Sequence, residues 1–314
     1  MDIDTLYGRI SAPEWRDDLI IRSLQVMGEW GAAETELLAP LVSSGDVFWD
    51  IGAFLGTFTI GLCRLVPLAR IVAVEANPEI FPFLETNLRV NLRCGVVVEH
   101  AAISEHEGWL SPKNASLPGN NGAQSYAPST ADAPASIPGT SLKALRAQRG
   151  DYDVLKLDIE GMETSALRSD ADYLRSRQPV VWAECNEDES SFDILDLMRS
   201  LGYETAYVAF PAFRTDNFKG SPELIHPMAY EAALVAAPPE RLSKLPASIV
   251  GEDLIHRRVS SALDLRRAMY DTPRWSMAEW AAMSRAELIA RLGHQFRGEP
   301  FSDFLNAQER CAPG

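Results

Sequence analysis

Cysteine is scarce in this sequence and never clustered. Cys63, Cys94, Cys185 and Cys311 are widely scattered, with no Cys-x-x-Cys pair and no histidine at zinc-finger spacing; this argues against a structural zinc site or a disulfide framework and for reduced thiols. Long apolar runs are missing too. None approaches the roughly eighteen residues of a membrane span, and the start, Met1-Asp2-Ile3-Asp4-Thr5, lacks the basic-then-apolar order of a signal peptide. The expectation is a soluble cytoplasmic protein. Positive charge is short as well: 29 Lys plus Arg face 44 Asp plus Glu, a net charge of -15, which repels polyphosphate and anionic lipid. Nucleic acid and membranes are therefore not expected partners. No internal repeat is present. What remains is an ordinary globular composition, 314 residues with 46 % hydrophobic and 23 % charged, enough for one large domain with appendages or for two domains.

The chain divides into three stretches. Residues 1–45 carry helical stripes, Ile20, Leu24 and Met27 before Gly28, then Leu37, Leu38, Leu41 and Val42 before Gly45, and predict an N-terminal helical segment. Residues 46–237 alternate short apolar runs with helical patterns. The runs are Val47 to Ile51, Ile71 to Val74, Val96 to Glu99, Val154 to Leu157, Val180 to Ala183, Tyr207 to Phe210 and Ala233 to Ala236. This predicts an α/β fold, a doubly wound and mostly parallel sheet with the last two strands as an antiparallel pair at one edge. Asn77-Pro78 predicts a helix start, with Phe81, Leu84 and Leu88 as its buried stripe. Within this stretch, residues 111–139 are rich in Pro, Gly, Ser and Ala and predict a lid or a disordered excursion. From residue 238 to 314 the pattern is helical, with capping boxes at Ser276 to Glu279 and Ser284 to Glu287; this extension is expected to cover the core, shape a pocket or pair two copies.

The most informative segment is Trp49-Asp50-Ile51-Gly52-Ala53-Phe54-Leu55-Gly56, a strand breaking into a glycine turn, followed by a second strand ending on Glu75. Such a layout grips an adenosine-containing cofactor. The Gly-x-Gly-x-x-Gly of nicotinamide-binding strands is missing, and Asp50 stands just before the turn. A carboxylate there opposes a diphosphate and suits a cation such as the sulfonium of S-adenosylmethionine. Glu75 can accept two hydrogen bonds from ribose hydroxyls.

Those residues, with Val74-Glu75-Ala76-Asn77-Pro78, then Ala101-Ala102-Ile103-Ser104, then Lys156-Leu157-Asp158-Ile159-Glu160-Gly161-Met162-Glu163, resemble the FkbM-type methyltransferases over roughly residues 29 to 205. The resemblance implies a class I, Rossmann-like, S-adenosylmethionine-dependent fold and O-methylation of hydroxyls on sugars or secondary metabolites. It implies that Gly52, Ala53 and Gly56 line the methionine and ribose, that Glu75 holds the ribose, that Ala76 and Asn77 flank the adenosine and that Ala101 lies near adenine. Thr57 adds a hydroxyl, and the helix after Gly56 aims N–H groups at the cofactor carboxylate. Phe54 stands where the family often has Asn, leaving only its backbone contact.

Methyl transfer to an alcohol needs an aligned nucleophile and a base. The sequence offers Asp158 and Glu160 after one strand and Glu184 and Asn186 after the next; Lys156 shares a strand face with Asp158. Asp158 or Glu160 then acts as general base, or Asp158, Glu184 and Asn186 hold Mg2+ that acidifies the hydroxyl. The histidines guide little: His100 reads as structural or as an adenine neighbour, and His226 can reach the acceptor side. Tyr207, Phe210, Phe213 and Phe218 are a stacking surface or edge-strand core. The leading reading is an O-methyltransferase acting on a free hydroxyl of a sugar, glycosylated or polyketide-like small molecule. A nicotinamide-dependent oxidoreductase or epimerase, and a non-catalytic cofactor-binding scaffold, are the alternatives.

Overall fold

The first secondary structure is a hairpin where the sequence predicts helix. β1 (Asp2–Thr5) and β2 (Gly8–Ser11) pair antiparallel with Ile3 opposite Ile10, and both isoleucines are buried. Two four-residue strands hold too few apolar positions for their alternation to register. The computed structural model describes residues 1–270 apart from 16, 106, 114–123, 187–188, 213, 215, 224–229 and 247–254. The expected contributions of His226, Phe213, residues 114–123 and the capping boxes beyond residue 275 lie outside the described residues.

After the hairpin the segment turns helical. Asp18 caps α1 (Leu19–Val26) by accepting a hydrogen bond from Ile21 N at 3.0 Å. Ala33, Leu37 and Leu38 of α2 (Ala32–Leu38) pack with Phe48. Then β3 (Val47–Ile51), α3 (Thr57–Leu65), β4 (Arg70–Glu75), α4 (Phe81–Asn91) and β5 (Gly95–His100) alternate as expected. α4 starts at Phe81 because Asn77 caps a preceding turn instead, its carbonyl accepting from Ile80 N and Phe81 N.

Residues 102–140 differ most from expectation. β6 (Ala102–Ile103), β7 (Gly108–Pro112), β8 (Tyr126–Ser129) and β9 (Ile137–Thr140) form a second sheet in the order β6-β9-β7-β8, around a small core of Ala102, Leu110, Tyr126 and Ile137. The described part of the expected lid or disordered excursion is thus folded. Pro128 lies in β8, at the border of this sheet, where a missing N–H costs no ladder bond.

α5 (Leu142–Arg149), β10 (Val154–Leu157), α6 (Glu163–Ser169), α7 (Ala171–Arg177), β11 (Val180–Glu184), α8 (Glu189–Ser200), β12 (Glu204–Pro211), β13 (Tyr230–Ala237), α9 (Pro239–Leu242), β14 (Ile255–Arg258) and α10 (Ala262–Tyr270) complete the described chain. The main sheet has the order β14-β12-β13-β11-β10-β3-β4-β5. β3, β4, β5, β10 and β11 are parallel, and β13 runs antiparallel between β11 and β12. The sheet does end on an antiparallel strand, but that strand is β14, which pairs with β12. The expected β12–β13 edge pair lies one place further in, and the extension after residue 238 is not wholly helical.

Alternation sorts the sheet residues onto two faces. Trp49, Ile51, Leu155 and Val181 pack under α5, α6, α8 and α10. Phe48, Val154, Val180 and Val235 pack under α2, α3 and α9, and α1 and α4 cover the β4–β5 end of that side together with the hairpin. One row on the second face is not apolar: Asp50, Lys156 and Trp182 are neighbours across β3, β10 and β11. Strand order reverses between β3 and β10, and the carboxyl ends of the strands at such a reversal leave a crevice.

Candidate active site

The loop after β3 is shaped by what it touches. Gly52, at φ 84°, donates with Ala53 to the Val74 carbonyl at 2.9 and 3.0 Å. A Cβ on Gly52 would lie 1.8 Å from the Asp158 carbonyl oxygen, so only glycine lets the β3 and β10 tips meet. Phe54 also sits at positive φ, 48°, a region that Asn tolerates better than Phe. Its N–H donates to Glu75 Oε2 at 2.9 Å, while Asn77 N donates to Glu75 Oε1 at 2.7 Å. Glu75 therefore ties the two strand-tip loops together. Burial pushes its carboxyl up to about 7 against the pull of those backbone donors.

The β10 tip continues the ladder through Asp158 N, which donates to Ile51 O at 3.0 Å. Lys156, on the same strand face, is 4 % exposed and places Nζ 2.9 Å from Asp158 Oδ2. Burial weakens the hold of Lys156 on its proton, but Asp158, Glu34 and Asp50 together keep it well above the ordinary lysine range. Glu163, pushed up to about 7 by burial, accepts from Ile159 N at 2.9 Å and braces the turn that carries Glu160 at φ 53°.

A single cavity runs along these tips. On the β3–β5 side its wall includes Gly52, Phe54, Glu75, Ala76 and Ala101; in the middle, Lys156, Asp158, Glu160 and Glu184; on the β12–β13 side, Phe210 and Glu231. Ile20, Trp30 and Glu34 from the N-terminal segment and Tyr126 from the small sheet close it. The carboxylates of Asp158, Glu160 and Glu184 offer atoms within 4.8 Å of one another. Asn186, expected beside them, is absent from the wall, and its carbonyl accepts from Ser191 Oγ. Glu160 takes that place.

Five residues expected at the cofactor lie off the cavity wall. Asp50 is fully buried beneath the wall, where Thr59 Oγ1 donates to its carboxylate, and burial raises its affinity for a proton. Ala53 and Thr57 are buried and outside the wall. A Cβ on Gly56 would meet Leu84 and Leu88, so Gly56 serves the packing of α3 on α4. Asn77 spends its N–H on Glu75 and its side-chain oxygen on Glu79 N. Nearby, His100 stacks on Phe81 with ring centroids 4.8 Å apart and bonds the Ala76 carbonyl. Tyr207 is buried in the core under α8, whereas Phe218 is exposed. Sequence reasoning missed Trp30, Glu34 and Glu231, which no local motif marks.

The methyltransferase FkbM domain matches residues 50–205. No curated protein matches the sequence. Among solved structures, methyltransferase FkbM from Methylobacillus flagellatus KT is 16 % identical with a TM-score of 0.41, covering 62 % of this chain and 44 % of that one. The present chain thus spans less than half of that protein's length. Precorrin-6y C5,15-methyltransferase from Geobacter metallireducens GS-15 is 17 % identical at a TM-score of 0.38, covering 66 % and 87 %. A precorrin 8w decarboxylase from Methanobacterium thermoautotrophicum is 17 % identical at 0.39, covering 73 % and 93 %. Through residues 50–205 the chain belongs to the FkbM methyltransferase family.

Proposed function

We propose that the protein is an S-adenosylmethionine-dependent O-methyltransferase whose acceptor is a free hydroxyl on a sugar, glycosylated or polyketide-like small molecule. The charge of the cavity wall carries this reading. Glu34, Glu75, Asp158, Glu160, Glu184 and Glu231 are acidic, and Lys156, the basic residue there, is already paired with Asp158. Such a wall disfavours a diphosphate and favours a cationic donor, which weighs against a nicotinamide cofactor.

The residues fit that donor. Gly52, Ala76 and Ala101 keep the β3–β5 side free of bulk, and each Glu75 oxygen keeps a lone pair beyond its backbone bond, enough to accept from a ribose diol. When bound, S-adenosylmethionine supplies an electrophilic methyl group. Asp158, its side chain 43 % exposed and steadied by Lys156, accepts a hydrogen bond from a neighbouring donor of the acceptor molecule and so orients its reactive hydroxyl. Trp30 and Phe210 give the acceptor side apolar faces. In a second reading, favoured by the proximity of Asp158, Glu160 and Glu184, these three hold a divalent cation that lowers the hydroxyl pKa.

Calorimetry with S-adenosylhomocysteine and with NAD tests the donor, with binding of the former and none of the latter expected. Binding of NAD alone would sink the reading. Methyl transfer measured after exhaustive chelation separates the two mechanisms, since activity that persists excludes the cation.

A further inference from the structure

We propose that Glu34, on a helix that precedes the family domain, takes the proton from the acceptor hydroxyl. This deepens the methyltransferase reading and rests on it. Glu34 lies on α2, outside residues 50–205, yet it lines the same cavity as Lys156 and Asp158.

Its carboxylate is held by one side chain from the centre of the sheet. Trp182 Nε1 donates to Glu34 Oε1 at 2.7 Å, and Trp182 is fully buried in the row that contains Asp50 and Lys156. Glu34 Oε2 makes no hydrogen bond among the described residues. Asp158 and Glu34 are thus unlike. Asp158 gives an oxygen to the Lys156 ammonium, whereas Glu34 is oriented by a neutral donor and keeps an oxygen for a proton. The groups that act on Glu34 are Lys156 and Asp158 from β10, Asp50 from β3 and Trp182 from β11, with Tyr7 from the hairpin turn also near it. Burial, with smaller contributions from Asp158 and Asp50, raises its carboxyl to about 7 against Lys156 and the indole. A general base works best with a pKa near the working pH.

In the proposed step the acceptor O–H bond breaks with its electron pair left on oxygen, where it becomes the nucleophilic pair. The proton bonds to Glu34 Oε2 and passes on to bulk water. The competing role for Glu34 is to satisfy the buried indole and nothing more. Glutamine would fill that role equally well, because its amide oxygen accepts the same bond.

Glu34→Gln separates the two roles. With S-adenosylmethionine and methyl α-D-glucopyranoside as probe acceptor, or water as probe acceptor with methanol measured, the variant is expected to lose about 100-fold in kcat. Its unfolding midpoint should stay near wild type and its S-adenosylhomocysteine affinity within about twofold, while Glu34→Asp retains part of the rate. The rising limb of the wild-type pH profile should disappear in Glu34→Gln. In ligand-free protein, isotope-edited infrared spectra should show a carboxyl that titrates near neutrality in wild type and is missing from Glu34→Gln. Turnover of the variant within about threefold of wild type, transfer by wild type to neither probe, or no such carboxyl overturns the proposal. Failure of the wild type to bind S-adenosylhomocysteine overturns the methyltransferase reading itself.

Discussion

A single methyl group at position 52 has nowhere to go. The Asp158 carbonyl that it would strike is backbone, in a residue whose N–H donates to Ile51 O across the β3–β10 junction, and φ at 84° already disfavours a side chain. Gly52→Ala is expected to cost on the order of 3 kcal/mol in chemical denaturation and to abolish cofactor binding by calorimetry. A stable variant with normal binding would show that the two tips move apart freely. Much at this scale was legible. The two-residue strand period places Lys156 beside Asp158, and the carboxylate at the second strand tip is Glu75. Asp50 was misplaced because sequence order shows that a carboxylate precedes a turn but not which face of the sheet it points to; here the answer is inward, under Thr59. Glu34 was not legible at all. Its meaning depends on Trp182, 148 residues away, and no local pattern carries that pairing.

Elements in this fold are joined by a few polar anchors. Asp170, 2 % exposed at the α6–α7 joint, accepts from Arg146 Nε and Nη2 of α5 at 2.8 and 3.0 Å and from the Tyr152 hydroxyl at 3.2 Å. The Arg146 guanidinium also lies 4.2 Å from the Tyr173 ring centroid. Removing Asp170 leaves a partly buried cation and a buried phenol without their acceptor. Asp170→Ala is expected to lose about 3 kcal/mol of stability, read as a lower denaturation midpoint with cofactor affinity retained; an unchanged midpoint would mean that packing alone joins α5 to α7. The alternation of strand and helix was readable because each long run has one period. The position of β13 was not, since adjacency in sequence suggests an edge hairpin. Its run Ala232–Ala237 is buried throughout, the pattern of a strand flanked on both sides. β14 escaped because Ile255-His256-Arg257-Arg258 shows neither alternation nor an apolar run. The small sheet escaped because its prolines and glycines read as loop.

At the scale of the whole molecule, buried acid dominates the response to pH. Glu34, Glu75 and Glu163 are each pushed from an ordinary 4.5 up to about 7 by burial. Between those values the folded state binds more protons than the unfolded chain, so the stability contributed by these groups is complete below about pH 4.5 and is lost as pH rises through 7. The stability read from urea denaturation is therefore expected to be higher at about pH 5.5 than at about pH 8, by on the order of 2 kcal/mol for each of these groups. Glu34→Gln should flatten the slope, and a midpoint that rises with pH would contradict these environments.

The border formed by β14 has a consequence for aggregation. An unpaired strand edge is a template on which another molecule can add a strand. Among the described residues β14 is the last strand of the sheet; it is four residues long and carries His256, Arg257 and Arg258. In a chain of net charge -15, copies that meet at this border bring together like charges, and the short strand offers few ladder bonds in return. Sheet growth from molecule to molecule is discouraged there by length and by sign of charge at once.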